Sequence, residues 1–238
     1  MRLNKTVHAT VGFLSSEKLT FLVFLCWSFF GISQLPTDYQ LWTGFNYQLK
    51  VSKKFTVNVA PEIRFKDTIS RIGSIFPDLG VKYKLSKNID FKLGYRYSIR
   101  PGSNSKNRIN LDFNYDFKKK GSPFSFSNRV RFQFARTSNS GKTESFLREQ
   151  IQMGYNLSKL VDPFVSFEIF FKFGNNEFRN LRSSIGFDWK ISKHWSASTF
   201  YILQREIFVG SPTRDHIFGI SGKYDMKLKK KKSQASID

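Results

Sequence analysis

The chain has one cysteine in 238 residues, Cys26, so it forms no intrachain disulfide and no cysteine-based zinc site. Acidic residues are also scarce: 18 Asp and Glu stand against 39 Lys and Arg, for a formal net charge of +21. No apolar run beyond the N-terminal region approaches the about 18 residues that a membrane-crossing helix needs. With a mean hydropathy of −0.37 this excludes a polytopic helical membrane protein. The HExxH, P-loop and GxSxG patterns are absent, and nothing in the chain implies a cofactor or a metal. Aromatic residues are plentiful instead, with 27 Phe, 9 Tyr and 4 Trp, far more than a solvated disordered chain carries. The length suits a single domain or a single barrel.

Residues 19–30 (LTFLVFLCWSFF) are an apolar stretch of 12, too short to span a bilayer as a helix. Arg2, Lys5 and Lys18 precede it, and small residues, Gly31 and Ser33, sit at the −3 and −1 positions before Gln34. This is the layout of a cleaved secretory signal peptide over residues 1–33, although the n-region is long and contains Glu17. Bulky Leu25 before Cys26 argues against lipoprotein processing, so the cysteine leaves with the signal. The remaining organisation reads as a barrel domain over 34–228 and a basic, disordered tail over 229–238.

From Tyr39 to Leu228 apolar and polar residues alternate with the period of a strand that has one apolar and one polar face. Ile89, Phe91, Leu93, Tyr95, Tyr97 and Ile99 alternate with Asp90, Lys92, Gly94, Arg96, Ser98 and Arg100, and the next segment repeats the pattern from Ile109 to Phe117. About eleven such segments are read, beginning with Leu41 to Leu49, and an amphipathic helix of useful length is not among them. They run to about 10–13 residues, against a mode of about 5–6 for soluble domains. Tilted at about 45°, eleven residues project to roughly 25 Å, the height of the apolar band on an outer-membrane barrel.

The polar face carries Glu62, Arg64, Lys66, Lys82, Lys84, Lys92, Arg96, Arg129, Arg131, Arg148, Glu168, Lys172, Arg182 and Asp188. A sandwich core would not bury these, whereas a water-filled or salt-bridged lumen accommodates them. Short Ser-Lys turns recur at residues 51–54, 86–88, 158–159 and 192–194, with 118–121 playing the same part. Longer polar connections fall at 67–73, 101–107, 137–145, 174–177 and 206–214. The expected fold is therefore all-β: an antiparallel up-and-down transmembrane barrel of about 10–12 strands, with short periplasmic turns and longer outer loops. Bacterial single-chain barrels have an even strand count, so an even number is expected here. Pro61 and Pro77 lack ladder donors inside presumed strands, which predicts a bulge or an edge at each. The segment from Trp195 to Glu206 is ambiguous because Phe200 and Ile202 break the alternation, and the chain lacks the aromatic C-terminus that closes many such barrels.

These residues resemble an uncharacterised family of outer-membrane-type barrels of Gram-negative Bacteroidetes, domain-of-unknown-function family 2490. The resemblance runs over about residues 39–224. It rests on Leu41-Trp42, on Glu62 with Arg64-Phe65, on Gly94-Tyr95-Arg96-Tyr97 and on Arg129-Val130-Arg131, then on Arg148, Pro163, Glu168, Arg179, Arg182, Gly186, Tyr201, Gln204, His216 and Gly219. It implies location and shape and supplies no catalytic residues.

Two readings of the polar face stay open: a channel for small anionic solutes lined by positive side chains, or a plug in which Glu62, Arg64, Arg96, Arg129, Arg131, Arg148, Glu168 and Arg182 pair across the lumen. A lipid hydrolase would need a Ser/His pair with an orienting group, for which His216, beside Asp215 and near Ser211 and Ser221, is the only plausible base. Neighbours on a strand point to opposite faces, however, so Asp215 cannot orient His216, and the expectation is a non-enzymatic outer-membrane protein. A soluble lipocalin-like periplasmic ligand binder would need the apolar face turned inward. Export argues against nucleic acid as the partner of the basic excess, and leaves outer-membrane lipid and small anions.

Overall fold

The computed structural model describes residues 35–228, so the expected signal peptide (1–33) and tail (229–238) lie outside the described residues. Eleven strands close into one barrel: β1 (Thr37–Lys50), β2 (Phe55–Lys66), β3 (Arg71–Lys84), β4 (Ile89–Ser98), β5 (Lys106–Phe117), β6 (Phe124–Thr137), β7 (Thr143–Tyr155), β8 (Val161–Lys172), β9 (Glu177–Lys190), β10 (Trp195–Glu206) and β11 (Arg214–Lys227). Each pairs antiparallel with its neighbour in sequence. β1 and β11 pair in parallel, in register from Thr37↔Arg214 to Lys50↔Lys227. The expected even count is thus corrected. With eleven strands the first and last run the same way, and the barrel closes through this one parallel seam.

The Ser-Lys turns owe their form to the serine. Ser52 Oγ accepts the backbone N–H groups of Lys54 (3.2 Å) and Phe55 (3.0 Å), and Ser86, Ser158 and Ser192 each do the same for the two residues that lead into the next strand. Ser122 plays the part after Gly121, whose φ of 80° only glycine adopts freely. Connections at this end hold four to six residues; at the other end they hold four to seven, the longest being residues 99–105 and 207–213. The first of those opposite connections is shorter than its composition suggested, because β3 already begins at Arg71. Its residues Asp67, Thr68 and Ile69 all have φ between 54° and 63°. Asp38 accepts the Asp67 and Thr68 N–H groups at 3.2 and 2.9 Å and holds the turn against this strain.

Pro61 and Pro77 produce neither a bulge nor an edge. They face each other across β2 and β3, and the cost falls on the ladders behind them. The β1–β2 register lapses between Gly44↔Glu62 and Tyr47↔Val59, and β3–β4 lapses between Asp78↔Arg96 and the isolated Ile75↔Ile99 bridge. The irregularity in β2–β3 lies instead at Arg64/Phe65.

Alternation sorts the side chains by wall. Leu93, Leu111, Phe132, Phe167 and Phe218 stand exposed on the outside. Inside, the buried polar and charged residues (Asn58, Asp78, Asp90, Asn110, Asp112, Arg148, Ser166 and Glu168) outnumber the buried apolar ones (Trp42, Phe76, Ala135, Phe170 and Ile217) among the described residues. This inverts the distribution of a water-soluble domain. The β10 ambiguity resolves here as well: Phe200 and Ile202 face inward, where Phe200 lies between Gly186 of β9 and Gly219 of β11 and Ile202 meets Ile217.

Candidate functional site: the charged interior

Eleven strands spaced about 4.8 Å apart and tilted about 40° make a wall roughly 20 Å across, wider than two facing side chains bridge easily. The ion pairs accordingly run along the wall rather than across the lumen, which corrects the expected cross-lumen pairing. Arg64 Nε donates to Glu62 Oε1 on its own strand at 2.5 Å. Arg96 donates from Nε and Nη2 to Asp78 Oδ2 on β3 at 2.9 and 2.8 Å. Arg131 grips its direct β5 neighbour Asp112 with two parallel bonds of 2.6 Å each, the fork geometry that makes guanidinium–carboxylate pairs strong.

Glu168 is the hub. Its Oε1 accepts from Arg148 at 2.8 Å and from Arg129 at 2.9 Å, and its Oε2 from Arg182 at 3.4 Å. β6, β7, β8 and β9 are thereby tied at one carboxylate, which is only 5% exposed. Arg148 also donates to Gln133 at 2.9 Å. Arg182 donates to Gln204 at 2.6 Å, and Gln204 in turn donates to Asp215 at 2.7 Å.

Inward aromatic rings complete this layer. Arg96 lies 3.7 Å from the Phe76 ring centroid, and Arg64 lies 5.0 Å from Phe76 and 3.5 Å from Trp42. Arg182 lies 5.3 Å from Trp42 and 4.7 Å from Phe170, and Arg148 lies 4.2 Å from Phe170. Four guanidinium groups and three buried rings therefore alternate in a series drawn from seven strands, β4 to β1 and β9 to β7, in which the Arg182–Trp42 contact passes over β10 and β11. All eight expected lumen residues lie in this belt or beside it. Sequence reasoning missed the rings, Asp78 and Arg108, and left Asp112, a polar-face residue of its segment, out of the paired network. The parity of each strand carried the signal, since Phe76 and Phe170 share the parity of Asp78 and Glu168. Arg108 lies directly opposite Arg96, and its Nε has no hydrogen-bond partner.

The hydrolase residues do not assemble. His216 faces outward, its Nδ1 2.6 Å from the Tyr201 hydroxyl and its ring stacked 5.1 Å from Tyr39. Asp215 points inward to Gln204, and Ser221 lies on the inner face opposite Ser198. His194 sits in its turn against the Asp225 carbonyl at 2.9 Å.

No curated protein matches the chain. The family described as "Protein of unknown function (DUF2490)" matches residues 39–211, which reach from β1 through β10 into the last loop and include every residue of the belt. The match spans well over half of the sequence, and the chain belongs to that family.

Proposed function

We propose that the protein is an integral outer-membrane β-barrel, delivered by a cleaved signal peptide, whose role is structural and whose lumen is held shut by the belt. The single observation that carries this reading is the inverted wall, with apolar side chains outside and charges inside. A surface of this kind is stable against hydrocarbon and aggregates in water. Strands of 10–14 residues support it, since at about 3.3 Å per residue and 45° tilt they match a hydrocarbon band of about 25 Å. The same observation disfavours a lipocalin-like binder, which would need its apolar face inward. The outward, tyrosine-bound His216 disfavours a lipid hydrolase. In this reading the Ser-Lys turns face the periplasm, the usual side for the shorter turns.

A narrow anion channel is the second reading. It is favoured by the excess of Arg64, Arg96, Arg108, Arg129, Arg131, Arg148 and Arg182 over Glu62, Asp78, Asp112 and Glu168 on the inner wall. Fractionation of cells making the full chain tests the main proposal. Retention in carbonate-washed outer membrane, with gel migration that changes on boiling, supports it; a monomer in the soluble periplasm overturns it.

A further inference from the structure

We propose that the turn-end half of the interior is a blind cup that binds a soluble, non-aromatic molecule carrying two or more phosphate groups. The inference rests on the reading above, in which this end opens to the periplasm. A cavity of about 630 Å³ begins at the Ser-Lys turns and shares Gln48, Thr56, Lys82, Asp90 and Asp116 with a deeper one of about 280 Å³. The deeper cavity reaches Asn58, Lys92, Arg129 and Arg131, where the Arg131–Asp112 fork and the Arg129–Glu168 bond begin the belt.

Charge in the cup is strongly one-sided. Its mouth is lined by eight lysines and three aspartates, and two of those aspartates are already engaged, Asp90 by Lys82 at 3.6 Å and Asp225 by Lys223 at 3.2 Å. Among the described residues no carboxylate lies within 4.0 Å of Lys50, Lys54, Lys84 or Lys87. Lys82 and Lys92 stand directly opposite each other on β3 and β4, a like-charge pairing that is destabilising by itself and is eased by Asp90 at 3.6 Å from the first and Asp78 at 3.7 Å from the second. Gly80, next on the inner face, lets Asn58 and the Lys92 stem pack against its backbone, since a Cβ there would overlap both.

Unused donors at the floor are an independent sign. Asn58 is 5% exposed, yet its Nδ2 has no partner, and Arg129 Nε is likewise unpaired. Both residues line the deeper cavity, and a buried donor without an acceptor is costly. The cations stand at successive depths, Lys84 and Lys82 about 7 Å apart along β3 at 3.3 Å per residue and Arg129 and Arg131 in the deeper cavity, more than one phosphate spans. The cup has no aromatic lining on which a nucleobase would stack, which points to phosphates on a sugar or polyphosphate scaffold.

Calorimetric titration of the full chain in neutral detergent with tripolyphosphate, inorganic phosphate and sulfate tests this. Tripolyphosphate is expected to bind at least tenfold tighter than phosphate or sulfate, and to weaken as salt is added. The variant K54Q/K84Q/K87Q, exposed at the rim, is expected to lose at least tenfold while its heat-dependent gel shift stays intact; K82Q tests the deeper level in the same way. Equal binding of the three anions overturns the proposal. So does tripolyphosphate binding that survives both variants but disappears when residues 229–238 are removed, which assigns the anion to the tail. The gel shift on the same samples reports the barrel separately, so loss of the cup and failure of the membrane reading give different results.

Discussion

Phe200 packs over Gly219 on the neighbouring strand, so close that a Cβ at residue 219 would overlap the ring. Gly186 flanks the other side, where a Cβ would sit 2.6 Å from the Thr199 carbonyl oxygen and 2.6 Å from Phe164. Gly219→Ala is therefore expected to destabilise the barrel by about 1–3 kcal/mol, as over-packing does. The check is the temperature at which the compact gel form is lost. Phe200→Leu in the Gly219→Ala background is expected to recover part of the loss, because the two residues share the contact.

Glu168 holds three guanidinium groups at 3.4 Å or less. Glu168→Gln leaves Arg148, buried at 6% exposure, without its counter-charge. Removing one member of a buried ion pair costs about 3–5 kcal/mol. The expected outcome is a urea midpoint well below that of the wild type, and a smaller loss for Arg129→Gln, whose guanidinium is more exposed.

Trp42 lies between Arg64 and Arg182, its ring buried in the belt. In planar bilayers the wild-type barrel is expected to pass no steady current, and Trp42→Ala to open a measurable anion-preferring conductance. Steady wild-type conductance that the substitution leaves unchanged would favour the channel reading instead.

Glu149 on the outer wall works against the membrane reading energetically. It stands exposed mid-strand on β7, opposite Val130 and Ile169, with Asn128 donating to it at 3.1 Å. A carboxylate against hydrocarbon is destabilising, by less than the about 2–4 kcal/mol that a lysine or arginine costs at the midplane. Glu149→Leu is therefore expected to raise the urea midpoint in lipid vesicles. A lowered midpoint would mean that this face meets water or a polar partner.

Much of the architecture was legible because period-2 alternation is local. Ile89 to Ile99 and Ile109 to Phe117 announce β4 and β5 without reference to anything else in the chain. The sense of the closing pair was not legible, since no local pattern shows that β1 pairs β11 in parallel. Asp78, the partner of Arg96, follows Pro77, and the attention that the proline drew to its missing donor passed over the carboxylate beside it. The arginines and glutamates of the belt were found because charge on a strand's second face stands out. Trp42, Phe76 and Phe170 were not, because an aromatic residue does not stand out as a lumen residue by its type, and only parity places these three inside. The prolines misled for a related reason: a missing donor is felt by whichever neighbour it would have bonded, and the sequence does not say which.

The central claim is that the apolar wall meets hydrocarbon. It is tested most directly by single cysteines labelled with an environment-sensitive fluorophore and quenched by nitroxide lipids, in a Cys26→Ser background reconstituted into vesicles. Labels at Leu93, Leu111, Phe132 and Phe218 are expected to be quenched strongly, and labels at the inward neighbours Asn110 and Gln133 weakly. Uniform quenching along β5 and β6, or strong quenching at the inward positions, would contradict the account.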